Sequence, residues 1–487
     1  MQRFHWLLAL CACLLLPTLP AAAGPNAATT TTGPLGEFMG MVVRDPHYEW
    51  KTNAAFPDGA NRAFFDALGR NLEAAGVRWV RIEFFAEEFA EGNGVDLRGR
   101  VNVEKYAYFI NEVAPRHNLK VLALLATPLV RQRPVGDALR FPDPEYDTGE
   151  YINPERLEDP LTINTADYGY VNAYMHIWLD NAFTIAASFP YVRRADGRWQ
   201  GIAAYEVLNE QNRYLGGGGR GLAPLAVATL QTKFYRTFKI NRGPSWSRFG
   251  AWVENVRIIT GGLHPDRCDD CPNRMTDRQY LDALYKTSAF QTFRRQHGRY
   301  PFDGVGYHPY AAEMRNALVP EETAYADLYR VPPRMQELRQ VMLANGDATT
   351  NIWITEIGDR GAPVLPEYPS TATRIDNERR QADFLRAMYW IMWQNRDYVE
   401  RVFWFKYEDF AVPADPTQTG PENWGIVRLR PRDAADSCPQ PYPPERRTCE
   451  YDADGAVWRY KEAFRAYQDI ARNGWTIHST YLPLSVR

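Results

Sequence analysis

Apolar and polar positions along the chain fall into two alternating rhythms. Short runs rich in branched and aromatic side chains read as strands: FMGMVV (38–43), VRWVRIEFF (77–85), KVLALLATP (120–128) and GIAAYEVLNE (201–210). VRIITGGL (256–263), FDGVGYHPY (302–310), NIWITEIG (351–358) and VERVFWFKY (399–407) continue the series. Between and after them lie segments with helical spacing, at 61–76, 103–117, 170–189, 335–346, 377–395 and 457–474. The order strand then helix recurs eight times. Strands apolar on both faces need cover on both, which helices wrapped around a parallel sheet supply, and eight repeats close that sheet. The expected fold is α/β, a (β/α)8 TIM barrel with long βα loops that fills residues 37–487 as one domain. A doubly wound nucleotide-binding sheet would need a glycine turn after its first strand. The one G-x-G-x-x-G match, in LGGGGRG (215–221), follows the fourth strand without a helix opening on it and reads as a flexible loop.

The first 36 residues stand outside this rhythm. Residues 1–23 combine Arg3, an apolar run to about Leu16 and the small residues Ala21-Ala22-Ala23, the pattern of a cleaved export signal. Residues 24–36, with AATTTTGPLG, read as a flexible tether. No later stretch is long and apolar enough for a membrane span, so the mature chain is expected to be secreted or extracytoplasmic. LCAC (10–13) only faintly resembles a lipidation box, because it sits inside the apolar run. Outside the cytosol, the pairs Cys268–Cys271 and Cys438–Cys449 are expected to be short-loop disulfides; zinc is the alternative, but the second pair lacks C-x-x-C spacing.

Composition narrows the partners. A formal net charge of −3 leaves no basic footprint, so nucleic acid is not an expected partner. Fourteen Trp and twenty-eight Tyr provide flat faces that suit sugar rings, although large cores use them too. No cofactor is implied. The eight His show no H-x-H or H-E-x-x-H spacing, and neither G-x-S-x-G nor a P-loop occurs, so no metal site is expected.

A barrel of this kind carries its chemistry at the C-terminal strand ends. The second strand delivers Arg81, the fourth Asn209 and Glu210, the sixth His308 and Tyr310, the seventh Glu356, and the eighth Trp404. Two carboxylates on strands four and seven face each other across the mouth, which suits glycoside cleavage by one acid and one nucleophile. Arg81 is expected to hold one glutamate ionised, while Glu210 beside a neutral amide stays protonated longer. Asn209 is placed to bind a sugar hydroxyl, Tyr310 to orient the nucleophile, His308 to line the site and Trp404 to floor it. Glu206, whose facing depends on how regular its strand is, stays unassigned. The loops 211–225 and 408–450 are expected to shape the cleft, with 216–221 mobile.

NE ending strand four, ITEIG ending strand seven, VRI in strand two and HPY in strand six together resemble the clan A retaining glycoside hydrolases. LLATP and GVGYHPY are closer to the bacterial family 39-like enzymes than to the cellulase-like family 5. The resemblance implies Glu210 as acid/base and Glu356 as nucleophile, with carboxyls about 5–5.5 Å apart. It implies hydrolysis of the O-glycosidic bonds of a β-linked oligo- or polysaccharide. A catalytically silent glycan-binding barrel, or a transglycosylase using the same residues, remains the alternative.

Overall fold

The computed structural model describes residues 34–50, 59–87, 99–130, 154–213, 221–241, 250–265, 275–314, 328–359, 371–409, 424–430 and 454–475. Eight parallel strands close on one another in chain order. They are β1 (Met39–Val42), β2 (Trp79–Glu83), β3 (Lys120–Leu125), β4 (Ile202–Val207), β5 (Arg257–Thr260), β6 (Gly304–Tyr307), β7 (Asn351–Ile357) and β8 (Val399–Trp404). β8 pairs with β1, Gly40 against Phe403, and completes the ring. The expected (β/α)8 barrel is the observed fold, and each of the eight strands lies inside the range read from the sequence.

Helices cover the outside. α1 (Arg62–Ala75) begins where the Asn61 side chain accepts the Phe64 N–H and ends at Gly76 in the left-handed region, φ 80°. α2 (Glu104–Tyr108) runs on through a π-helical turn at Phe109–Val113. α3 (Ala173–Ser188) starts three residues later than its apolar pattern, because Asn172 caps it and 169–171 pair with 163–165 as a small ribbon. α4 (Pro224–Tyr235), α5 (Asp277–Lys286) and α6 (Ser288–His297) follow, then α7 (Val331–Ala344), α8 (Thr371–Gln394) and α9 (Glu462–Asn473). The sequence reading differs most at α9. Val457–Tyr460, counted into that helix, instead forms an antiparallel ribbon with Val427–Leu429. Val-Trp-Arg-Tyr suits a strand once a partner strand is present.

Two irregularities of the barrel matter for its mouth. Between β5 and β6 the ladder is thin, with Ile259 opposite Gly304 and then an isolated bridge from Leu263 to Tyr307, and Gly261-Gly262 lie between. Between β7 and β8, Ile354 pairs with Val402 and Ile357 with Trp404, so three steps on β7 match two on β8. Thr355 and Glu356 occupy that bulge, a device that re-aims side chains at barrel rims.

No described helix is long and apolar enough to cross a membrane. The export signal at 1–23, most of the tether, the glycine-rich 216–220 and most of 408–450 lie outside the described residues, as do Cys268, Cys271, Cys438 and Cys449.

Candidate functional site

β4 is buried throughout and ends at Val207, after which the backbone leaves the strand abruptly. Leu208 (φ 67°) and Glu210 (φ 44°) both adopt the left-handed region. Side chains rarely sit there without cost, about 1–3 kcal/mol each, and such residues persist where surrounding contacts over-determine them. Here the polar run supplies those contacts. The Gln211 amide donates to the Gly261 carbonyl (3.1 Å), and Asn212 both donates to the His264 carbonyl (2.7 Å) and accepts its N–H (2.9 Å). The Glu210 N–H donates to the Gly262 carbonyl at 2.9 Å. The amides after the strand therefore clamp a strained turn to β5 and aim Glu210 across the mouth.

Arg81 on β2 is the hub beneath that turn. Its Nε donates to Glu206 (2.6 Å), one terminal nitrogen to Glu356 (2.6 Å) and the other to Asn209 (2.9 Å). Burial works against its charge, but Glu206 and Glu356 outweigh burial and push its pKa up. Arg81 only donates, so the oxygen of Asn209 must face it, which leaves the Asn209 amide N–H groups as donors. Glu206, unassigned from the sequence, is the second organiser. It is fully buried and also accepts from the Gly262 N–H (2.9 Å) and the Thr355 hydroxyl (2.8 Å).

Thr355 in turn orients His308. Its hydroxyl proton goes to Glu206, so its oxygen accepts from His308 Nε2 at 2.9 Å. That network assigns one proton to Nε2. Nδ1 faces Glu210 Oε1 at 2.9 Å, and two bare lone pairs would repel at that distance, so a second proton lies between them. Burial opposes a charged imidazole, but Glu356 and Glu210 outweigh it and raise the His308 pKa. Burial likewise favours neutral Glu210, yet the His308 hydrogen bond and the charges of His264, His308 and Arg213 hold its carboxyl down at about 2. This runs against the expectation that Glu210 stays protonated longer. The two groups are joined through one proton, and the direction of both shifts favours it on the histidine. The charges responsible come from beyond β5, from beyond β6 and from the turn itself, which spacing in the sequence does not bring together.

Gly262 makes room for this arrangement. A Cβ there would stand 2.0 Å from His308 Nε2 and 2.7 Å from Thr355 Oγ1. Gly262→Ala is therefore expected to displace the imidazole from Glu210, and an unchanged His308 ring signal in the NMR spectrum of the folded variant would contradict this.

Glu356 accepts from the Tyr310 hydroxyl at 3.0 Å as well as from Arg81. The side chains of Glu210 and Glu356 keep 19% and 12% of their surface open, whereas Arg81, Glu206 and His308 are sealed beneath them. One oxygen of each glutamate and His308 Nδ1 all lie within 4.8 Å of one another. Arg81, Asn209, Glu210, His308, Tyr310 and Glu356 are thus brought together.

Trp404 is not with them. It is fully buried and meets Phe384 of α8 edge-on at 6.0 Å, so it faces the helix layer rather than the mouth. On β8 the inward positions are Arg401 and Phe403, which meet Trp79 and Trp353 inside the barrel, and Phe405 continues that parity. Phe405 and Trp424 are both half-buried; Trp424 packs edge-on against Phe405 (5.8 Å) and Tyr310 (5.9 Å) and takes the place expected of Trp404. Gln381 holds the Trp424 carbonyl (3.2 Å), and the buried Lys461 holds the next one, that of Gly425 (2.7 Å).

Two further carboxyls were not foreseen. Asp45, just beyond β1, accepts the Glu83 N–H at 2.6 Å. Burial raises Asp45 to about 7, and burial together with Asp45 raises Glu83 to about 8. Glu83 lies deep in the protein yet keeps part of its surface accessible, as the floor of a cleft does.

No protein-family model matches the chain. No curated protein matches it either. Among solved structures it is similar to a family 5 mannosidase from Rhizomucor miehei, with 11% identity over 89% of this chain and 92% of that one and a TM-score of 0.45. It is similar to an endo-laminarinase from Formosa Hel1_33_131, with 11% identity over 80% and 83% and a TM-score of 0.44. A family 10 endoxylanase from a sugarcane soil metagenome shares 14% identity over 89% and 97%, with a TM-score of 0.42.

Proposed function

We propose that this chain is a retaining glycosidase that cleaves O-glycosidic bonds of a β-linked glycan, with Glu356 as nucleophile and Glu210 as acid/base. The observation that carries the reading is the pair itself. Two partly open glutamates on opposite strands of one mouth bring oxygens within 4.8 Å of each other, an approach that suits direct attack by a carboxylate rather than by an interposed water.

The roles divide by contact. Glu356 receives donors from Arg81 and Tyr310, which suit a carboxylate about to attack an anomeric carbon. Glu210 shares its proton with His308, so in this reading the pair supplies the leaving oxygen with the proton and then takes one from water. The Asn209 amide N–H groups are aligned for the sugar hydroxyl beside the anomeric carbon, and Phe405 and Trp424 offer apolar faces for the ring. We assign the activity outside the cytosol and expect the disulfides Cys268–Cys271 and Cys438–Cys449, on the strength of residues 1–23 and the short spacing of each pair.

Glu210→Ala tests the division. With activated aryl leaving groups glycosylation should survive, while deglycosylation slows by roughly 10²–10⁴-fold for want of a base. Azide, which needs no base, should then restore turnover and give a β-glycosyl azide. Near-normal rates of Glu210→Ala on a natural polysaccharide would remove the assignment. A pH profile tests the shared proton. Because the pair loses that proton at the raised His308 value, the alkaline limb of kcat/KM should fall above the ordinary histidine pKa of about 6.5. In His308→Ala that limb should move, since Glu210 would then lose its hydrogen-bond partner and titrate against burial with only His264 and Arg213 opposing. An alkaline limb identical in the two proteins would contradict the shared proton.

A further inference from the structure

The three groups that meet at the mouth also form a set of metal donors. We infer that Glu210, His308 and Glu356 bind a divalent transition ion such as Zn²⁺, and that the bound ion shuts off the site. Three features carry this. First, the donor atoms are close: His308 Nδ1 lies 2.9 Å from Glu210 Oε1 and 3.8 Å from Glu356 Oε2, and all three atoms fall within 4.8 Å. A tetrahedral zinc with bonds of about 2.0–2.2 Å holds its ligands roughly 3.3–3.6 Å apart, so shifts of about 1 Å or less in two partly exposed glutamates complete the set.

Second, the imidazole is prepared as a metal ligand. His308 Nε2 donates to Thr355, which donates to the buried Glu206, so the ring is held with Nδ1 toward the glutamates, where zinc would displace the proton that Nδ1 shares with Glu210. Zinc-binding histidines are fixed in the same manner, by donating their second N–H to a protein oxygen. Third, Glu210 and Glu356 both face His308 Nδ1 across the mouth, so a dication can take the place of the proton held between His308 and Glu210 while meeting both carboxylates. A mixed nitrogen and oxygen donor set selects zinc-like ions over Mg²⁺ and Ca²⁺, which favour oxygen alone. The open positions of a three-ligand ion would hold water, while both glutamates lose the freedom that proton transfer and attack require.

The inhibition half of this inference rests on the glycosidase reading; the binding half does not. The test is calorimetric titration of the full chain with Zn²⁺ alone, beside Glu356→Ala, Glu210→Ala and Thr355→Val. Cysteines, where reduced, are a second place for zinc, so the readout is the difference between variants. The glutamate variants should weaken the site at least tenfold, and Thr355→Val should weaken it about 10–100-fold through the ring orientation. With an aryl β-glycoside, Zn²⁺ should compete with substrate at an inhibition constant equal to its dissociation constant, and equal Mg²⁺ should not. Zinc binding unchanged in both glutamate variants, or absent from the wild type, would overturn the site. Variant-sensitive binding in a chain that turns over no glycoside would uphold it and remove the glycosidase reading instead.

Discussion

Glu356→Ala is expected to abolish turnover of every β-glycoside the wild type accepts, with kcat/KM lowered on the order of 10⁴-fold or more. The size follows from position. Glu356 sits on the β7 bulge with one oxygen held by Arg81 and the other by Tyr310, so no neighbouring carboxyl can take over its trajectory. Glu206, the nearest candidate by chain contact, is fully buried and engaged by Arg81, Thr355 and the Gly262 N–H. Azide added to Glu356→Ala should attack from the vacated side and give the α-glycosyl azide, the opposite anomer to that from Glu210→Ala. Steady-state rates and the anomeric coupling constant of the azide product are the measurements. A Glu356→Ala enzyme within tenfold of wild type would end the assignment.

The largest effect on stability is expected at Arg81. Its guanidinium is 3% exposed and lies between two carboxylates, one of them wholly buried. Arg81→Leu leaves Glu206 without its counter-charge, and removing one member of a buried pair costs about 3–5 kcal/mol. Activity should fall as well, because Asn209 and Glu356 lose a common anchor. The double variant Arg81→Leu/Glu206→Leu should recover part of the lost stability, since replacing both members of a buried pair by apolar groups is often close to neutral. Denaturant unfolding of the three proteins decides this. A loss below 1 kcal/mol for Arg81→Leu, or no recovery in the double variant, would show that Arg81 is not the organiser of the mouth.

The strands were legible because each is buried on both faces and bounded by turn residues, and their ends pointed to Arg81, Asn209, Glu210, His308, Tyr310 and Glu356. What stayed hidden has two causes: alternation fails where the backbone leaves the regular strand, and it does not discriminate where both faces are apolar. Glu206 could not be placed because Leu208 and Glu210 turn left-handed just beyond it. On β8, VFWFKY is aromatic on both faces, so sequence favoured the tryptophan, whereas the inward parity belongs to Phe403 and Phe405. Trp424 and Asp45 reach the mouth from loops, where no periodicity applies. The glycine pair of VRIITGGL was the overlooked signal, since it marks close approach by the Glu210 turn and by the His308 ring.

The central claim is that Glu356 forms a covalent glycosyl intermediate. The most direct measurement is mass spectrometry of the chain after incubation with a panel of 2-deoxy-2-fluoro-β-glycosides carrying activated leaving groups, which slow the second step and trap that species. The account expects one sugar per chain, released on hydroxylamine treatment and located by peptide mapping at Glu356. A label at Glu210 or Glu206, or rapid hydrolysis without label and with an inverted first product, would contradict it.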